Sequence, residues 1–132
     1  MSHPNETMLR DAYDAFSKGE IGALTAMLSG DISWHASGES PAAGDYTGTD
    51  GVLQFFASMM AVYDGTLEVT VEDVLAGDLH GVVLTHERGT HDGRRLEYTS
   101  VHVWTIRDGK CTAFVSYEDD VYRKFWATRP TF

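Results

Sequence analysis

The feature that most constrains this chain is a change of hydrophobic period at Asp64-Gly65. Before it, apolar residues recur at helical spacing; after it, they alternate. A period near 3.6 lays side chains along one stripe of a helix, and a period of 2 lays them on one face of a strand. Met8, Leu9, Ala12, Tyr13 and Phe16 form the first stripe, with Asn5 or Thr7 as cap and Gly19 as stop. Ile21, Leu24, Met27 and Leu28 share one face of a short second helix ending at Gly30. Residues 31–36 read as a strand and residues 37–48 as a loop dense in Ser, Gly and Pro. Thr49 or Asp50 caps a third helix carrying Val52, Leu53, Phe56, Met59, Met60 and Tyr63. Four alternating runs follow, separated by Gly77-Asp78, His91-Asp92-Gly93 and Arg107-Asp108-Gly109. Asp-Gly between alternating runs is a strong hairpin signal. Asp119 or Asp120 then caps a terminal helix with Val121, Phe125 and Trp126. Helices segregated from an antiparallel meander predict an α+β fold, with the helices on one face of a curved sheet. The 132 residues suit one domain spanning 1–132.

Register decides which side chains meet. If each Asp-Gly turn is a three-residue loop with Gly in the left-handed position, Ile106 pairs Lys110, His102 faces Phe114 and His86 faces Tyr98. One sheet face then carries Val82, Leu84 and His86, then Leu96, Tyr98, Ser100, His102, Trp104 and Ile106, then Phe114, Ser116 and Glu118. The other carries Val83, Thr85 and Glu87, then Glu97, Thr99, Val101, Val103 and Thr105, then Ala113, Val115 and Tyr117. A two-residue loop at either turn slips the pairing by one. The first face mixes aromatics with a few polar groups, as ligand pockets do. The second is β-branched, which suits either a homodimer contact or a half-solvated face.

Charge narrows the partners. Twenty acidic against ten basic residues give a net charge of −10. Such a chain is a poor match for a nucleic-acid backbone or an anionic membrane surface. The lone Cys111 excludes an internal disulfide and a Cys-based metal cluster, and predicts a reducing, cytoplasmic setting. No signal-peptide pattern and no membrane-length apolar run is read in the sequence. The histidines show no His-x-His pair and no metal-binding helical spacing, so no metal is expected.

Three stretches carry a family resemblance: Ile32-Ser33-Trp34-His35; Ser40 to Gly48 with Gly51-Val52-Leu53-Gln54-Phe55-Phe56; and Val101 to Lys110 followed by Asp119-Asp120. Together they resemble the SnoaL-like branch of the nuclear transport factor 2-like superfamily, related to polyketide cyclases and ketosteroid isomerases. The resemblance implies a cone: a strongly curved, mixed but mainly antiparallel sheet on three helices, a short C-terminal helix, and a deep apolar cavity. It implies chemistry without a cofactor. In the cyclases a His before the Arg-Asp-Gly turn lines the cavity, and His102 matches it. Their strand carboxylate matches Ser116 here, which is no base. Glu118 is then either the missing acid or, more plainly, a helix cap beside Asp119.

The expected proton-moving residues are His102 and His86. The expected ligand contacts are Phe16, Trp34, Tyr46, Phe56, Met60, Tyr98, Trp104, Phe114 and Ser116. Only one of Trp34 and His35 faces inward, because strand neighbours alternate, and Trp34 is the better wall. The implied function is binding of an apolar small molecule, with proton transfer on a polyketide- or steroid-like carbonyl compound. The alternatives are a ligand-binding protein without catalysis and, further off, a protein–protein adaptor. A homodimer through the outer sheet face is expected.

Overall fold

A computed structural model describes residues 3–127. The elements run α1 (Pro4–Ser17), α2 (Ile21–Thr25), β1 (Leu28–Ala36), β2 (Gly44–Thr47), α3 (Gly48–Val62), β3 (Glu68–Ala76), β4 (His80–His91), β5 (Arg94–Arg107), β6 (Lys110–Glu118) and α4 (Asp120–Ala127). The α+β order expected from the period change holds, with one addition. β2 lies inside the expected loop and pairs antiparallel with β1, Ser33 against Thr47. Four residues of edge strand are too short to show an alternating pattern.

The six strands are ordered β2-β1-β6-β5-β4-β3. The meander β3 to β6 is antiparallel, and β1 joins its end parallel to β6. That pairing starts β1 at Leu28 rather than Asp31, with Leu28 opposite Cys111. Met27 and Leu28 therefore serve the sheet, and α2 stops at Thr25. Helix α1 starts at Pro4, its fixed φ suiting the first helical position. Its cap is His3, whose Nδ1 accepts from the Asn5 N–H at 3.1 Å.

Both long hairpins turn on two residues, not three. Asp92 and Gly93 have φ 50° and 76°, and Asp108 and Gly109 have φ 51° and 75°. Two consecutive left-handed residues match the right-handed twist of the flanking strands. His91 thus pairs Arg94, and His86 pairs Thr99 rather than Tyr98. The inward residues of β4 become Val83, Thr85 and Glu87, all buried, in place of Val82, Leu84 and His86. Opposite Thr105 and Ile106 of β5, a bulge in β6 at Thr112 restores the expected face. Trp104 meets Phe114, His102 meets Ser116, and Ser100 meets Glu118.

Helices α1 and α3 pack across the concave face, and α4 packs on β5. Leu9, Ile32, Val52, Tyr63, Val83, Leu96 and Ile106 are fully buried between the layers. Gly89 lets Tyr63 lie flat on β4, since a Cβ there would sit 2.7 Å from the ring. No helix among the described residues is long and apolar enough to cross a membrane.

Candidate functional site

The concave face does not close on the helices. It leaves a cavity of about 710 Å³. Its floor is an aromatic stack that the strand pairing assembles. Trp34 on β1 lies on Phe114 of β6, ring centroids 3.8 Å apart, and Trp104 of β5 meets both edge-on. Phe56 of α3 caps Trp34 at 5.7 Å and touches Phe16 of α1 at 5.5 Å. Leu53 and Met60, each about half exposed, mark the way in.

Of the expected ligand contacts, Phe16, Trp34, Phe56, Met60, Tyr98, Trp104, Phe114 and Ser116 line this space, as does His102. Trp34 faces in, and His35 faces out toward Asp45, Nδ1 to Oδ1 2.7 Å. Two expectations need correction. Tyr46 stands behind the wall: its ring packs on Phe55, and its hydroxyl donates to the Ala42 carbonyl at 2.8 Å. His86 lies on the opposite sheet face beside Glu97, at 3.5 Å, because the two-residue turn shifted β4 by one.

That same shift delivers a residue the sequence pattern placed outside. Glu87 is 5% exposed and lies 3.0 Å from His102, Oε2 to Nε2. Thr85 donates its hydroxyl to Oε2 at 2.7 Å, and Tyr98 donates to Oε1 at 3.0 Å. Burial works to raise this carboxyl, but His102, Thr85 and Tyr98 outweigh it and hold the group below the usual carboxylate range. On its other side, His102 Nδ1 lies 2.5 Å from the hydroxyl of Tyr13 on α1. Trp104 donates its indole N–H to that same hydroxyl oxygen at 3.1 Å. Burial pushes the Tyr13 hydroxyl well above the ordinary phenol value. One continuous polar chain thus runs from Trp104 through Tyr13 and His102 to Glu87.

A second polar group stands apart from that chain. Asp119, not Glu118, caps α4: its Oδ1 accepts from the Tyr122 N–H at 3.2 Å. Glu118 instead faces the cavity from the end of β6. Ser116 donates to its Oε1 at 2.9 Å, while its Oε2 is buried with no hydrogen-bond partner. Burial pushes this carboxyl up to about 7, only partly offset by Ser116. A carboxyl poised near neutrality in an apolar pocket can both give and take a proton.

Three residues of this site are hard to find in the sequence. Tyr13 looks like one more member of an apolar helical stripe, and nothing local marks it otherwise. Glu87 falls outside under the three-residue loop, although Asp-Gly itself favours the two-residue turn. Glu118 competes with its neighbours for the helix cap, and only the packing decides between them. Cys111 is buried with its thiol pushed up to about 12 by desolvation, an inert sulfur at the start of β6.

A SnoaL-like domain model matches residues 9–114. An uncharacterised protein of Mycobacterium tuberculosis is 28% identical over 123 residues, covering 91% of this chain and 94% of its own. Among solved structures, Bal32a from a soil-derived mobile gene cassette is 26% identical, with a TM-score of 0.84 over 92% of this chain and 95% of that one. An NTF2-like protein of unknown function from Burkholderia pseudomallei superposes with a TM-score of 0.85 at 22% identity, over 97% of this chain and all (100%) of that one. With its helices on the concave face of a six-stranded sheet, the chain belongs to the SnoaL-like domain family and shares the fold of NTF2-like proteins.

Proposed function

We propose that this protein is a cofactor-independent isomerase or cyclase that moves a proton on an apolar carbonyl compound. Supporting this reading is one observation: two groups able to exchange protons, Glu118 and His102, face the same aromatic-walled cavity from neighbouring strands. In this reading the aromatic stack holds a ring system, Glu118 exchanges a proton with carbon, and Tyr13 and His102 serve the adjacent oxygen. Separating the two roles suits an enolisable carbon, where charge moves from carbon to oxygen as the proton leaves.

The test is solvent deuterium exchange into a panel of enolisable ketones. Wild type is expected to label the α-carbon above background, and His102→Ala is expected to slow labelling by about 10²- to 10⁴-fold, the usual worth of a positioned acid–base group. Ketone binding without labelling in either protein would leave the non-catalytic ligand-binding reading in its place.

We also infer a homodimer through the outer sheet face. Val101, Val103 and Val115 lie there half-buried, and Tyr117 is 56% exposed. Sedimentation velocity is expected to give a dimer for wild type and a monomer for Val103→Glu. A monomeric wild type would refute it.

A further inference from the structure

The polar chain behind His102 has a direction, and both its ends fix it. The Trp104 indole can only donate, so the Tyr13 oxygen must accept from it. Glu87 at the far end is held as a carboxylate, which can only accept, and it takes three donors: Thr85, Tyr98 and His102. The His102 Nε2 must therefore carry hydrogen. With the imidazole neutral, Nδ1 is bare and takes the Tyr13 hydrogen. Tyr13 then shows the cavity a lone pair. With the imidazole protonated, Nδ1–H donates to Tyr13, and the Tyr13 O–H swings free toward the cavity.

We propose that Glu87 is a positioning residue that locks His102 with Nε2–H toward β4, so that Tyr13–His102–Glu87 relays a proton from a ligand hydroxyl, a phenol or an enol, into the protein. The ligand O–H bond breaks and its proton goes to the Tyr13 oxygen. The Tyr13 hydrogen passes to His102 Nδ1. The products are an enolate or phenolate and an imidazolium, and the imidazolium rests against the Glu87 carboxylate. No other reactant is needed. One proton thus turns Tyr13 from an acceptor facing an O–H into a donor facing an O⁻. Without Glu87, nothing on β4 would hold the ring in this register or offset the new positive charge.

The inference rests on the reading that Tyr13 and His102 serve the ligand's oxygen, but its test does not depend on turnover. The probe is 4-nitrophenol, whose ionised form absorbs visible light and whose neutral form does not. It is buffered well below its own pKa and titrated with protein, while binding is followed separately by tryptophan fluorescence. Wild type is expected to show the nitrophenolate band on binding. Glu87→Gln, which keeps the shape and removes the charge, is expected to bind the probe and lose the band. Tyr13→Phe leaves the His102–Glu87 pair intact and is expected to lose the band too, which guards against a Glu87 variant that fails to fold. A bound probe that stays neutral in wild type overturns the relay. A band that survives Glu87→Gln overturns the role of Glu87. If ketone labelling fails while the Glu87-dependent band appears, only the carbon-acid reading falls.

Discussion

Glu118→Gln is expected to stabilise the protein above pH 7 while strongly slowing its proposed proton exchange with carbon. The folded state raises this carboxyl from 4.5 to about 7, chiefly by burial. A group whose pKa is raised by folding binds its proton more tightly when folded. Between pH 4.5 and pH 7 the folded state therefore holds more protons at this site than the unfolded chain, so stability falls as pH rises through that window. The full difference is on the order of 3 kcal/mol, since a tenfold change in proton affinity corresponds to about 1.36 kcal/mol. Glutamine keeps the hydrogen bond with Ser116 and never ionises. Urea unfolding of both proteins at pH 4 and pH 8 isolates this group, because Glu87 and Asp119, whose carboxyls folding lowers, act equally in both. The variant is expected to match wild type at pH 4 and exceed it at pH 8. Deuterium labelling of ketones should meanwhile drop by about 10²- to 10⁴-fold. Equal stability at both pH values would show that Glu118 titrates normally and is unsuited to the role given it. A gain in stability paired with a loss of activity is what a carboxyl kept strained for function should give.

How much of this site the sequence discloses depends on how far each residue's signal reaches. The period change and the Asp-Gly turns are local, and they determine the helices, the meander and the inward face of β5, from Leu96 to Ile106. Trp34 is placed by its own alternation with His35. The residues that escape are those whose position depends on something non-local. His86 and Glu87 exchange faces with a single residue of loop length. Tyr46 sits where the unforeseen β2 carries it, against Phe55. Tyr13 needs α1 to cross the sheet opposite His102, a separation of 89 residues that no pattern within one helix reports. The family resemblance supplies His102 but points to Ser116 for the acid. The carboxyl stands two residues on, at Glu118, with Ser116 donating to it.

Trp34→Ala is expected to cost about 3–5 kcal/mol, as large-to-small changes at buried aromatics do. Trp34 is 3% exposed and joins four aromatic neighbours: Phe114 stacked beneath it, and Phe55, Phe56 and Trp104 around its edges. Its removal would merge the cavity with the gap left behind, and an apolar void has no partner atoms to recover the lost dispersion. Trp34→Phe separates bulk from polarity. The indole Nε1–H is buried without an acceptor, and a buried unpaired donor costs about 1–3 kcal/mol. Phenylalanine gives up some contact area but removes that penalty, so its net cost should be under about 1.5 kcal/mol, within the range for shape-tolerant core swaps. Chemical denaturation of the three proteins distinguishes the contributions. Similar losses for Phe and Ala would mean that the indole makes a hydrogen bond worth keeping.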